Sequence, residues 1–209
     1  FVDRVSEMGT LEQEYRRDGS SFVVVYGRRR VGKTTLINEF CRGKSALYYL
    51  ATEESEAQNR MAFRDMVADY LGNPLMPQVA FGRWEPLFEM LVAEGQSSEK
   101  LVLVIDEFQY LGKANEAFPS IFQRVWDTIL SRHNVMVILC GSLVTLMSSQ
   151  VLDYESPLYG RRTAQIHMRA LPFSYYHEFF KKKSRRELVE FYSVTGGIPK
   201  YIELFEDDA

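Results

Sequence analysis

Two rhythms of apolar positions alternate along this chain. Phe22-Val23-Val24-Val25-Tyr26, Ala46-Leu47-Tyr48-Tyr49-Leu50, Leu101-Val102-Leu103-Val104-Ile105 and Val135-Met136-Val137-Ile138-Leu139-Cys140 carry apolar side chains at consecutive positions. Such runs suit strands buried on both faces of a parallel sheet. A weaker strand signal spans Thr163 to Met168. Between the runs lie stretches of helical character, Lys33 to Cys41, Glu56 to Leu71, Trp84 to Glu94 and Phe118 to Ser131. Ahead of them, Val5, Met8, Leu11 and Tyr15 recur at helical spacing in an amphipathic lead-in that Asp18-Gly19-Ser20-Ser21 ends. Strands alternating with helices require right-handed crossovers, so the expected fold is α/β, a parallel sheet between layers of helices. After about Pro172 the pattern changes to short helical segments rich in aromatics and Lys, which divides the chain into a core over 1–170 and a helical appendage over 171–209.

Composition narrows the function classes. The 209 residues are 46 % hydrophobic, enough for one ordinary domain and perhaps part of a second, and the net charge of −3 provides no global field for nucleic acid or membrane. No apolar run approaches the roughly 20 residues of a membrane span, and Phe1-Val2-Asp3-Arg4 is unlike a signal sequence. Cys41 and Cys140 form no CxxC pair and sit among apolar residues like buried free thiols, which points to a reducing cytoplasm. His133, His167 and His177 lack metal-ligand spacing. A start on Phe and a stop at Glu206-Asp207-Asp208-Ala209 lead us to expect a domain cut from something longer.

Candidate chemistry begins where the first strand ends. Gly27-Arg28-Arg29-Arg30-Val31-Gly32-Lys33-Thr34 fits GxxxxGK[ST] between a predicted strand and a predicted helix, the context that gives the pattern meaning. The glycines let successive N–H groups turn inward on a phosphate, and the helix N-terminus adds partial positive charge. Lys33 would bridge the β- and γ-phosphates of ATP, the Thr34 hydroxyl would ligate Mg2+, and Thr35 would donate to the α-phosphate. The side chains of Arg28, Arg29 and Arg30 would face outward as a solvated basic rim while their backbone N–H groups face the phosphates.

Two acids end the third strand run. Asp106 would hold Mg2+ and Glu107 would act as general base on the attacking water, at the strand end where open α/β sheets bind ligands. A lone Asp would serve binding, whereas Asp-Glu adds a base for hydrolysis. The strand Ala46 to Leu50, inserted between the two motifs, fits the ATPase branch in which another strand separates the motif strands. Ser142, at the end of Val135 to Cys140, would sense the γ-phosphate or position the water; the competing reading is a helix N-cap. It is no hydrolase elbow, because Cys140-Gly141-Ser142-Leu143-Val144 lacks the second glycine of GxSxG. Arg161 and Arg162, just before the weak strand, are the candidates for an arginine that stabilises the transferring phosphoryl group, from this chain or a neighbour.

Taken with the lead-in Phe1-Val2-Asp3-Arg4-x-x-Glu7-Met8, the segment Ile105-Asp106-Glu107-Phe108-Gln109-Tyr110-Leu111, Leu171-Pro172-Phe173-Ser174 and Gly196-Gly197-Ile198-Pro199-Lys200-Tyr201, the chain resembles the archaeal-type ATPase family of the AAA+/STAND branch of P-loop NTPases over nearly its whole length. The resemblance implies a RecA-like sheet of order 5-1-4-3-2 and a helical lid starting near Pro172. It also implies that Pro199 approaches the adenine or ribose, that Phe1 to Glu7 border the base, and that a C-terminal winged-helix or nuclease-like region follows. Without the resemblance, Gly196 to Pro199 reads as a turn between helices. Val5-Ser6 departs from the acidic residue many relatives carry after the Arg. Adenine over guanine follows from the family and from the lack of an NKxD-like segment.

The sequence thus supports a hydrolysing ATPase that moves lid against core for a DNA- or protein-directed partner. It also admits a slow nucleotide-dependent interaction switch, and a small-molecule kinase for which no acceptor signature is found. Lys181-Lys182-Lys183-Ser184-Arg185-Arg186 reads as a phosphate contact or a solvated helix end. Oligomeric state is left open, a homo-oligomer included.

Overall fold

The computed structural model describes residues 3–94 and 99–205. Phe1 and Val2 of the lead-in and the acidic tail from Glu206 lie outside the described residues. The elements follow in the order α1 (Val5–Arg16), β1 (Ser21–Tyr26), α2 (Lys33–Cys41), β2 (Ala46–Leu50), α3 (Glu56–Leu71), α4 (Glu85–Glu94), β3 (Leu101–Asp106), α5 (Gln109–Ala114), α6 (Phe118–Thr128), β4 (Val135–Gly141), α7 (Val144–Met147), β5 (Ala164–His167), α8 (Tyr176–Phe179), α9 (Arg185–Thr195) and α10 (Pro199–Ile202).

All four strand pairings are parallel, and the order is β2-β3-β4-β1-β5, the reverse statement of 5-1-4-3-2. The strand between the two motif strands is therefore β4, whereas Ala46–Leu50 lies at the sheet edge beyond β3. Alternation along each strand divides the core in two. Phe22, Val24, Leu103, Ile105, Val137 and Leu139 pack on one side with Phe63, Trp84, Phe88 and Phe122 from α3, α4, α6 and the turn before α4. Val23, Val25, Val102, Val104, Met136 and Ile138 pack on the other with Leu11 of α1 and Leu36, Ile37 and Phe40 of α2. Both faces being covered, every residue of β3 and β4 is buried. That fixes the register, because a shift by one residue would exchange the two cores.

Local chemistry closes the elements. Ser55 caps α3 and Ser184 caps α9 by reciprocal bonding with Gln58 and Glu187. Gly72 and Gly196 take the left-handed conformation that ends those helices. Beyond residue 170, Leu171, Tyr176, Phe180, Leu188 and Ile202 form a small apolar cluster of their own. A close backbone approach ties its two ends together: Leu171 N donates to Gly197 O at 2.7 Å, and a Cβ on Gly197 would lie 2.2 Å from Leu171 O. No helix among the described residues is long and apolar enough to cross a membrane.

Candidate phosphate-binding site

Parallel strands gather their carboxyl ends on one edge, so the loop after β1, the acids ending β3 and the serine after β4 meet there without any further instruction from the sequence. Gly27 has φ +152°, and a Cβ on it would lie 2.2 Å from Met168 O, so no other residue fits where the loop leaves β1. Gly32, at φ +94°, stands at the start of α2. These two positions keep side chains out of the loop's inner surface. Lys33 is 6 % exposed, and its Nζ donates to Gly27 O at 2.9 Å and Arg28 O at 3.0 Å. Carbonyl dipoles hold the ammonium without cancelling its charge.

Asp106, 4 % exposed, accepts from Thr34 Oγ1 at 3.3 Å and from the Tyr48 hydroxyl, both through Oδ2. Burial, with Asp106 beside it, pushes the Tyr48 phenol up and keeps it a neutral donor. Burial followed by the same carboxylate pushes the Cys140 thiol well up. The pairing of a carboxylate with a threonine hydroxyl is an all-oxygen donor set of the kind that suits a hard divalent cation.

Glu107 has φ +53°, a left-handed conformation that costs a residue with a side chain about 1–3 kcal/mol. Its Oε2 accepts from Ser142 Oγ at 2.7 Å, from Ser142 N at 3.2 Å and from Gln109 Nε2. Ser142 does not cap α7, since Leu143 occupies that position and makes no side-chain cap bond. Its hydroxyl is spent on Glu107 instead.

One cavity of about 230 Å3 is lined by Arg29, Lys33, Thr34, Thr35, Glu107 and Ser142 together with Pro199 and Glu203 of the C-terminal segment. Pro199 Cγ stands 4.0 Å from where a Cβ on Gly32 would lie, so it overhangs the loop itself. Of the arginines, all three side chains are exposed, yet two are engaged rather than simply solvated. Arg29 Nη2 donates to Tyr110 OH at 2.7 Å and its Nε to Ser142 Oγ at 3.4 Å, while Arg30 Nη1 donates to Tyr201 OH at 3.1 Å.

The expectation for Arg161 and Arg162 fails within this chain. Both precede β5, whose neighbour Thr163 bonds to Phe22 near the start of β1, at the edge of the sheet opposite the phosphate loop. Arg161 pairs with Asp127 through two bonds of 2.9 and 2.7 Å, and Arg162 donates to Leu152 O at 3.2 Å. In a parallel sheet the residues leading into a strand lie at the wrong end for the ligand edge. The run Lys181 to Arg186 is largely exposed, with Arg185 and Arg186 opening α9.

Sequence reasoning missed three participants. Tyr48 reads as one more apolar strand residue, and only the placement of β2 beside β3 brings its hydroxyl to Asp106. Gln109 stands in the segment Ile105 to Leu111 with no role of its own, yet its Nε2 donates to Glu107 Oε2. Arg4 falls in the stretch that the resemblance sets beside the base, yet it is 6 % exposed and its Nη2 donates to Val31 O at 3.2 Å and Arg169 O at 2.7 Å. It thus ties the phosphate loop to the segment that follows β5.

Residues 1–205 match the family model described as an ATPase domain predominantly from Archaea. An uncharacterised protein of Methanocaldococcus jannaschii is 35 % identical over 205 residues, covering 97 % of this chain and 43 % of its own length. The chain thus spans less than half of that relative. Among solved structures, the Walker-type ATPase of Pyrococcus abyssi superposes with a TM-score of 0.75 at 21 % identity, over 99 % of this chain and 67 % of its own. The ORC1 protein of Aeropyrum pernix, solved in complex with DNA, superposes with a TM-score of 0.65 at 12 % identity, over 99 % and 59 %. At these identities the structures speak for the fold, and the family match speaks for the lineage: this chain belongs to the family of ATPase domains found predominantly in Archaea.

Proposed function

We propose that this domain binds MgATP and hydrolyses it, and that the nucleotide state sets the position of the C-terminal helices against the core. The observation that carries the reading is the convergence of Lys33, Thr34, Glu107 and Ser142 on one cavity, with Asp106 held to Thr34. Backbone N–H groups of the Gly27–Gly32 loop and the Lys33 ammonium bind the triphosphate, and Thr35 orients its α-phosphate. Thr34 and Asp106 would hold Mg2+, which when bound neutralises phosphate charge as a Lewis acid. Ser142 orients Glu107, whose carboxylate takes the proton of the attacking water. The water oxygen bonds to the γ-phosphorus as the bond to the bridging oxygen breaks, and ADP leaves with that electron pair.

The lid residues give the coupling its route. Pro199, Lys200 and Glu203 line the same cavity as Lys33, and Arg30 reaches Tyr201, so charge at the γ position acts on both bodies at once. The work would be delivered to a DNA- or protein-directed partner: the ORC1 likeness to a DNA-bound structure and the longer relatives favour it, and Lys181 to Arg186 offer a phosphate contact. A reducing cytoplasm suits the two free thiols.

Glu107→Gln tests the enzyme reading. Steady-state phosphate release should fall by roughly 10²–10⁴ while ATP stays bound; unchanged release rejects Glu107 as the base. One observation favours the slow-switch reading: the Glu107 carboxylate is engaged by both Ser142 and Gln109. A switch would keep nucleotide through purification and show negligible phosphate release in a single-turnover assay of the parent chain.

A further inference from the structure

The three loop arginines point three ways. Arg28 contributes its carbonyl to Lys33, and Arg30, turned by its φ of +69°, bonds and stacks on Tyr201 of the lid. Arg29 alone leans toward the acids. Its Nε lies 3.4 Å from Ser142 Oγ, and Ser142 Oγ lies 2.7 Å from Glu107 Oε2, so the guanidinium is one hydroxyl away from the carboxylate on the wall of the shared cavity.

Stability does not account for this placement. Arg29 is exposed, its bond to Ser142 is long, and its bond to Tyr110 is at the surface. Hydrogen bonds of that kind add little to folding, and immobilising a long side chain opposes even that gain. Its partners, Ser142 and Tyr110, are neutral hydroxyls, so no carboxylate holds the guanidinium directly and its donors can turn to a ligand beside Lys33.

Resting on the ATPase reading above, we propose that Arg29 is a catalytic residue supplied in cis, its guanidinium contacting the γ-phosphoryl oxygens of ATP from within the phosphate loop. The planar fork matches two phosphoryl oxygens at once, which an ammonium does not. In the hydrolytic step Arg29 keeps its protons; it stabilises charge on the γ-phosphoryl oxygens as the bridging bond breaks. Exchanging Ser142 for phosphate would also release the serine hydroxyl to hold Glu107 alone. At the opposite edge of the sheet, Arg161 is paired with Asp127 and does not reach the cavity.

The test compares Arg29→Ala and Arg29→Lys with the parent, by calorimetric titration of MgATP and MgADP, phosphate release at saturating MgATP, and a mixture of Arg29→Ala with Glu107→Gln. We expect Arg29→Ala to bind MgADP as the parent does, to bind MgATP about tenfold more weakly, and to lose at least about 10³ in turnover. Arg29→Lys should recover part of the ATP preference and little of the turnover, and the mixture should stay inactive. Parent-like turnover, an equal loss of ATP and ADP affinity, or recovery of turnover on mixing overturns the proposal, the last because it places the arginine in trans. A parent chain without turnover refutes the ATPase reading instead, and the ATP-to-ADP affinity ratio of Arg29→Ala then decides alone: unchanged overturns the contact, and a tenfold fall upholds it.

Discussion

The two edges of the sheet use similar residues to opposite ends. At the amino edge, polar groups close on one another: Phe22 N donates to Thr163 Oγ1 at 3.0 Å, Thr163 donates to the nearly buried Glu14, Arg161 and Asp127 pair through two bonds, and Lys100 donates to Arg17 O. At the carboxyl edge, among the described residues, the Lys33 ammonium meets carbonyls, Asp106 meets two hydroxyls, a thiol and the Glu107 N–H but no cation, and Glu107 sits in a strained left-handed conformation. Burying charge without a counter-charge opposes folding. An edge built this way is matched by something that brings charge of its own, whereas at the amino edge the charged groups are matched within the chain and the polar atom left over, Ser21 Oγ, is neutral. Stability and chemistry are thereby separated by the length of one strand.

Mutations should divide along the same line. The largest effect belongs to Asp106→Asn, which removes the carboxylate from the pair with Thr34: phosphate release should fall by roughly 10²–10³, while urea unfolding gives a stability equal to or above the parent's, as expected for relief of a buried charge. A comparable loss of stability would mean that the carboxyl edge is structural after all. Next comes Thr163→Val. Losing the hydroxyl shared by Glu14 and Phe22 should cost about 1–3 kcal/mol in urea unfolding, with the rate of ATP turnover unchanged.

Smaller again is Arg161→Ala. The side chains of Arg161 and Asp127 are 27 % and 41 % exposed, so screening holds the pair below about 1 kcal/mol, and turnover by the isolated chain should not change. A large turnover loss would restore Arg161 as the phosphoryl-stabilising arginine, acting from a neighbouring copy. The smallest effect concerns pH. Cys41 closes α2, and burial pushes its thiol from 9.0 up to about 11, against a weaker lowering by Lys44. The folded chain therefore keeps a proton that the unfolded chain loses. Its contribution is full below about pH 9 and is lost as pH rises toward 11. Unfolding midpoints measured at pH 8 and pH 10 should fall less in Cys41→Ala than in the parent.

The parts of this division that are legible in the sequence are those written in contiguous residues. Consecutive apolar residues mark the strands, Gly27 to Thr34 mark the phosphate loop, and Asp106-Glu107 at the close of an aliphatic run mark the acids, because each pattern is local and each strand end is forced to one edge by parallel topology. What stays hidden depends on which strands are neighbours and on where long side chains reach. Tyr48 gains its role only because β2 flanks β3. Arg4 gains its role from an approach between residues 165 apart in sequence. Arg161 misleads because a basic pair ahead of a strand looks the same whether the strand presents its beginning or its end to the ligand. Arg29 reads as solvated rim, since its variable loop position says nothing about the serine across the cavity.

All of this turns on whether the carboxyl edge is a triphosphate site. Calorimetric titration of MgATP into the parent and into Lys33→Ala, with both first shown to unfold at the same urea concentration, addresses it directly. The account predicts saturable binding by the parent and a loss of at least about 100-fold in the variant, the worth of one buried charge-assisted contact. Equal affinity in the two proteins would contradict it.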